Sequence, residues 1–141
     1  MEIGLMQFFI EPKATFDIYY LVRVKISEVI NKQLQKEYDF DKIKPGWTLS
    51  INLITGKKEK KLAIYGPDIF KKDKYINYAA IIPFAEIKTA KNIQEVYIEN
   101  YFLALKELLK EYNISDSFFR TNKEKLIKEI VNNPLYEYRE E

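Results

Sequence analysis

Residues 47–53, Trp-Thr-Leu-Ser-Ile-Asn-Leu, alternate large apolar side chains with small or polar ones. Because successive side chains of a strand point to opposite faces, this alternation predicts a β-strand with one buried face and one wet face. Residues 74–84 repeat the pattern. The apolar positions of that second strand are Ile76, Tyr78, Ala80 and Ile82. Two such strands need a cover on one side only, which predicts a sheet with helices packed against a single face.

The rest of the chain predicts two further strands and three helices. The strands are expected at 2–10 and 61–65, and the helices at 16–37, at 93–112 and from Thr121 to the Asn133-Pro134 pair. Residues 16–26 also alternate as a strand would, but the 3.6-residue period continues through 27–37 and favours a helix.

The expected architecture is one α+β domain over residues 1–141, in the order β-α-β-β-β-α-α. Short connections between the last three strands favour an antiparallel meander, and Gly66-Pro67 is expected to end the middle one. The fold class is therefore an antiparallel sheet of about four strands with helices on one face. Trp47 is expected to be largely buried where the sheet meets a helix, so that its replacement by alanine would cost about 3–5 kcal/mol.

The composition excludes several classes of site. The 141 residues include no histidine and no cysteine. Without them there is no disulfide, no thiolate zinc site, no cysteine nucleophile and no imidazole general base. A transition-metal site would depend on carboxylates alone, which favour hard cations. We therefore expect no enzymatic activity, no catalytic residues, no cofactor and no metal.

The amino-terminal residues do not resemble a targeting signal. The apolar run of residues 5–10 is interrupted by Gln7, stopped by Glu11-Pro12 and not preceded by positive charge. A secretory signal needs a longer apolar run, and a membrane span needs about 20 apolar residues. The sequence therefore predicts a cytoplasmic protein with no membrane association.

Positive charge is concentrated in residues 42–74, which contain nine lysines and only three acidic residues, Glu59, Asp68 and Asp73. One interpretation is a basic rim for an anionic partner, either nucleic acid or an acidic protein patch. The other is that lysines protect exposed turns and sheet edges from pairing. Nucleic acid is an unlikely partner, because the chain has only three arginines, a net charge of +2 and no RNP-like motif.

Aromatic residues are interleaved with three of these lysines. Tyr65, Phe70, Tyr75 and Tyr78 lie close together in sequence around Lys71, Lys72 and Lys74. Tyrosines beside flexible cations are common at protein–protein hot spots, although strand tyrosines also pack across sheets. We expect the partner-binding residues at the 65–75 connection. They are Tyr65, Asp68, Lys71, Lys72, Lys74 and Tyr75.

The order of these segments over residues 1–112 resembles that of small bacterial immunity proteins of polymorphic toxin systems. The resemblance is carried by an amino-terminal strand, a helix with Glu28-Val29-Ile30-Asn31, and a tryptophan-led strand at 47–54. It continues with the basic turn Lys71-Lys72-Asp73-Lys74, the strand at 75–84 and a leucine-rich helix. The resemblance implies a protein, monomeric or weakly dimeric, that binds and blocks a cognate toxin domain without catalysis. A non-catalytic nucleic-acid-associated or regulatory domain that uses the basic segment is the alternative.

Overall fold

The structure is a computed structural model that describes residues 1–9 and 20–137. The strands in these residues are β1 (Glu2–Phe9), β2 (Thr48–Gly56), β3 (Ala63–Phe70) and β4 (Tyr75–Pro83). The α-helices are α1 (Tyr20–Tyr38), α2 (Phe84–Thr89), α3 (Ile93–Leu108) and α4 (Asp116–Ile130). Short 3₁₀ helices occupy Phe40–Lys42, Lys110–Tyr112 and Pro134–Tyr136. The predicted α+β class and element order are confirmed, with α2 as an addition. Residues 10 and 16–19, which the predicted first strand and helix included, lie outside the described residues.

The four strands form one mixed sheet in the order β1-β2-β4-β3. β1 and β4 both pair with β2 in parallel, and only β3 and β4 are antiparallel. The prediction of an antiparallel meander is therefore wrong, although the number of strands is right. Proline cannot donate a ladder hydrogen bond, so β3, with Pro67 in its interior, belongs at an edge. β4 lies between β2 and β3, parallel to β2 and antiparallel to β3.

The middle strand does not end at Gly66-Pro67, as the sequence suggested, but continues to Phe70. Tyr65 pairs with Ala79 and Asp68 pairs with Asn77, so two residues lie opposite the single Tyr78. This irregularity is a bulge, and Gly66 accommodates it with a φ of +127°. A Cβ at Gly66 would lie 2.9 Å from the Asn77 carbonyl oxygen. Glycine is the residue that fits here without strain.

All α-helices contribute to a hydrophobic core on one face of the sheet, as predicted. In β2 the alternate residues Leu49, Ile51 and Leu53 are buried, and in β4 Ala80 and Ile82 are buried. The helices contribute a second set of fully buried side chains, which includes Ile26, Ile30, Leu34, Tyr97, Tyr101, Leu105, Leu126 and Ile130. Burying each such aliphatic side chain contributes about 1.5–3 kcal/mol, so this layer stabilises the fold.

The helix ends are set by local capping. The side chain of Asn92 accepts a hydrogen bond from the Glu95 amide at 3.1 Å, as expected at the start of α3. The same helix ends at Leu108 and a 3₁₀ turn follows, before Asn113 adopts the left-handed conformation with a φ of +55°. The last helix begins at Asp116 rather than at Thr121.

The early start of α4 comes from Ser115, whose Oγ accepts a hydrogen bond from the Phe118 amide at 3.3 Å. Ser115 is therefore the N-cap, and the five residues that the sequence prediction left in a loop are helical. Phe118 and Phe119, in the added turn, are buried against the core. No helix in the described ranges is long and apolar enough to cross a membrane.

Candidate partner-binding surface

The six residues predicted to bind a partner lie on one hairpin, formed by β3, the turn at 71–74 and β4. Tyr65 and Asp68 belong to β3, and Tyr75 is the first residue of β4. Lys71 and Lys72 are exposed in the turn between them. The structure therefore brings the predicted residues together, although they are distributed over most of the length of the hairpin.

Three of these side chains share the face of the sheet opposite the helices. Tyr65 pairs with Ala79, and Asp68 pairs with Asn77. Their partners alternate with Ala80, which is buried on the helix side, so residues paired with 77 and 79 point the other way. Tyr75 pairs with Phe70, and their ring centroids lie 6.0 Å apart. A tyrosine–phenylalanine pair thus marks the turn end of this face.

Lys74 is directed away from the other turn lysines. Its backbone is left-handed, with a φ of +53°. A Cβ on Gly46 would lie 3.6 Å from Lys74 Nζ, so the ammonium lies beside the start of β2. The Lys74 carbonyl accepts a hydrogen bond from the Thr48 amide at 2.9 Å. Lys71 and Lys72 are therefore the cations at the tip, while Lys74 borders the neighbouring strand.

Tyr78 does not join the aromatic residues with which it clusters in sequence. It pairs with Ile51 and packs against the core on the helix side of the sheet. Partial burial, with the nearby negative charge of Glu111, raises the pKa of its hydroxyl. The sequence cluster is thus divided between two faces of the sheet.

Two exposed apolar residues belong to this surface and were not among the predicted site residues. Phe70 is 50% exposed and Ile69 is 53% exposed. Phe70 stood out in sequence as an aromatic beside lysines. Ile69 carried no signal, because an isoleucine in a strand is normally a core residue and only the extent of the helix layer leaves it exposed.

The basic segment 42–74 does not form one surface. Lys42 and Lys44 precede β2 and lie at the same end of the sheet as the turn lysines, because β2 and β4 are parallel and Thr48 pairs with Tyr75. The remaining four lysines, 57, 58, 60 and 61, lie in the β2–β3 connection at the opposite end. A strand of eight or nine residues separates the two groups by about 25–30 Å.

Trp47 is partly buried, with most but not all of its surface covered. It lies just before β2 at the end of the sheet, and Lys44 Nζ lies 5.5 Å from the centre of its ring. It lines an open cleft of about 390 Å³. Two amide side chains in the cleft wall are already engaged, Asn31 with Ile3 and Gln35 with the Asp41 amide at 2.8 Å. The cleft wall also includes the side chains of Glu2, Asp41 and Thr48, so it is polar as well as aromatic.

The described residues contain no group of three or more acidic side chains placed to hold a metal ion. A second open groove of about 530 Å³ lies between α3 and α4, with Leu103 59% exposed at its border. Lys106 and Asp116 form an ion pair of 2.9 Å beside it.

Comparison of the chain with protein-family models, with curated proteins and with solved structures gives no match.

Proposed function

We propose that this chain is a cytoplasmic immunity protein, which binds a cognate bacterial toxin domain and occludes its active site. The observation that carries the proposal is the exposed apolar group on the β3–β4 hairpin. Tyr65 and Phe70 are 57% and 50% exposed on an edge strand, and Phe70 directly precedes the lysines of the turn. Exposed groups of large apolar side chains often mark sites of protein–protein contact. The motif order that resembles immunity proteins supports the same function.

The chemistry of the hairpin suits recognition of a protein. Aromatic side chains supply contact area at a small cost in conformational entropy, and they dominate many interface hot spots. Completing the burial of a half-exposed Phe or Tyr is worth about 1–1.5 kcal/mol, roughly half the value for full burial. Lys71 and Lys72 would attract an acidic partner patch and raise the rate of encounter.

The alternative function, a nucleic-acid-associated or regulatory domain, is less well supported by the geometry. Its basis was the continuous basic segment 42–74, and the fold divides those lysines between two ends of the sheet. Five lie at the turn end, but Glu2, Asp39, Asp41 and Asp73 are exposed at that same end. A phosphate backbone is better matched by a continuous basic stripe.

A growth-protection assay tests the proposal. The chain is co-expressed with the carboxy-terminal domain of the protein encoded next to its gene, and we expect it to restore growth. Two variants address the hairpin: Tyr65→Ala with Tyr75→Ala, and Lys71→Glu with Lys72→Glu and Lys74→Glu. Both are expected to protect less than the wild type.

The matched control for charge is the triple variant Lys57→Glu, Lys58→Glu and Lys60→Glu, at the opposite end of the sheet. It makes the same change in net charge and is expected to protect fully. Failure of the wild-type chain to protect would contradict the proposed function. Full protection by both hairpin variants, with their fold retained, would show that the recognition surface lies elsewhere.

A further inference from the structure

The last residues of β3 project beyond the helix layer of the sheet. Within residues 1–9 and 20–137, β3 pairs only with β4. Ile64, near its start, packs against the core, but Ile69 does not and is 53% exposed. Phe70 is 50% exposed. The hairpin tip therefore carries two large apolar side chains that the chain itself leaves about half uncovered.

These two side chains point in opposite directions. Ile69 pairs with Ile76, which is 7% exposed on the helix side of the sheet. Phe70 pairs with Tyr75 on the other side, where the two rings are in contact. A flat partner surface that lies against one face of the hairpin would cover only one of them. Both are covered together only when the partner is concave and contacts the hairpin from two sides.

The opposite edge of the sheet is strand β1, and it differs from β3. There, the side-chain amide of Asn31 hydrogen-bonds both the N–H and the carbonyl of Ile3 in β1, at 2.7 Å each. No side chain among the described residues covers the backbone of β3 in a comparable way. At Ile3, the backbone of β1 is thus satisfied by a side chain of the same protein, whereas β3 has no comparable cover among the described residues.

The charges around β3 argue against a second copy of this chain as the occupant. A two-fold axis would pair two β3 strands antiparallel. Lys60 and Lys61, just before β3, would then meet Lys71 and Lys72 of the other copy. Like charges placed opposite one another destabilise strand pairing. The same lysines favour an acidic partner.

The bulge in β3 argues against a partner strand added along the whole edge. Gly66 and Pro67 interrupt the ladder in the middle of the strand, and Pro67 has no N–H to donate. Only the three residues 68–70 remain between the bulge and the turn. We therefore expect a partner to bind the tip through side-chain contacts and not through a continuous backbone ladder.

We propose that the tip of the β3–β4 hairpin, residues 68–75, inserts into a cleft of the partner. The cleft has apolar walls that contact Ile69 on one side and Phe70 on the other, and acidic residues face Lys71 and Lys72. This inference rests on the proposed function, because the partner is the cognate toxin domain. It adds the mode of binding: insertion of a two-sided wedge, as opposed to docking of the open sheet face.

The dissociation constant of the purified chain for an inactivated form of the neighbouring-gene toxin domain tests this mode. Ile69→Ser and Phe70→Ser are each expected to raise Kd about five- to tenfold. The control is Leu103→Ser on α3, which replaces an equally exposed apolar side chain far from the hairpin. It is expected to change Kd less than twofold. Thermal midpoints near that of the wild type show that each variant is folded.

A charge pair of variants adds an independent measurement. Lys71→Glu with Lys72→Glu is expected to lower the association rate at least tenfold, whereas Lys57→Glu with Lys58→Glu changes it little. Loss of affinity in Phe70→Ser with wild-type affinity in Ile69→Ser would overturn insertion in favour of docking on one face. Wild-type affinity in both serine variants would overturn it while leaving the proposed function intact. If the wild-type chain does not bind the toxin domain, both proposals fail.

Discussion

At the scale of single residues, Asn31 takes the place of a neighbouring strand for β1. Its Oδ1 accepts a hydrogen bond from the Ile3 amide, and its Nδ2 donates to the Ile3 carbonyl, both at 2.7 Å. The same Nδ2 also donates to the Ser27 carbonyl at 2.9 Å. One side chain thus joins α1 to the sheet edge and satisfies both backbone groups of a buried residue.

Replacement of Asn31 by alanine should therefore destabilise the folded protein. It leaves the Ile3 N–H and carbonyl without these partners, and we expect a loss of about 2–4 kcal/mol in the free energy of unfolding. Urea denaturation measures it, with Lys32→Ala, an exposed neighbour on α1, as the control. Equal stability of the two variants would show that water replaces the Asn31 amide at no cost.

Tyr101 presents the opposite case, a buried polar group with no partner. It is fully buried, and its hydroxyl has no hydrogen-bond partner among the described residues. Burial raises the pKa of this hydroxyl far above its ordinary value, because the charged form would lose its hydration. The aromatic ring stabilises the core, while the hydroxyl does not.

Tyr101→Phe is consequently expected to be at least as stable as the wild type at neutral pH. The unfolded chain releases the tyrosine proton above about pH 10, whereas the folded chain retains it. The raised pKa in the folded state therefore makes wild-type stability fall as the pH rises above about 10, by roughly 1.4 kcal/mol per pH unit for this group. The phenylalanine variant lacks this loss. Urea unfolding at increasing alkaline pH should show the two stability curves diverging, and parallel curves would contradict the burial of Tyr101.

At the scale of elements, the start of α4 depends on one cap. Ser115 Oγ accepts from the Phe118 amide, and the hydroxyl of Tyr38 lies 3.2 Å from the same oxygen. Ser115 thereby positions the first turn of the helix and connects it to the end of α1. The turn then buries Phe118, whose ring meets that of Tyr38 edge to face at 5.5 Å.

Ser115→Ala should lower the free energy of unfolding by about 1 kcal/mol, the usual value of an N-cap. Thr121→Ala, which removes an exposed hydroxyl further along the same helix, is the control and should cost much less. Chemical denaturation of both variants gives the comparison. Equal effects would mean that the Phe118 contacts, and not the cap, set the start of α4.

The elements were predictable where periodicity alone determines them. Alternation in 47–53 identified the strand and its buried face, and the 3.6-residue period through 27–37 identified α1. The order of strands was not predictable in this way, because it depends on where a strand with an internal proline can be placed. The start of α4 was not predicted from the sequence. Phe118 and Phe119, which follow Ser115, do not extend a clear helical pattern of apolar residues.

At the scale of the whole molecule, the candidate surface was partly predictable. The lysine turn and its tyrosines were visible in sequence, and they do come together on one hairpin. The exposure of Ile69 could not be predicted from the sequence, because it follows from the helix layer ending before the last residues of β3. Tyr78 lies near the other aromatics in sequence, but it belongs to the apolar face predicted for 74–84, because residues 75 and 78 lie an odd number of positions apart and so face opposite sides.

The central claim is that the chain binds a protein partner mainly through apolar contacts, and calorimetric titration tests it most directly. The purified chain is titrated with the inactivated toxin domain encoded next to its gene, at low and at high salt. We predict binding in a 1:1 ratio, with a dissociation constant that rises less than about tenfold between the two conditions, because the contacts are largely apolar. No binding at low salt would contradict the claim. Affinity that falls by about a thousandfold or more would also contradict it, because such a loss indicates a mainly electrostatic association.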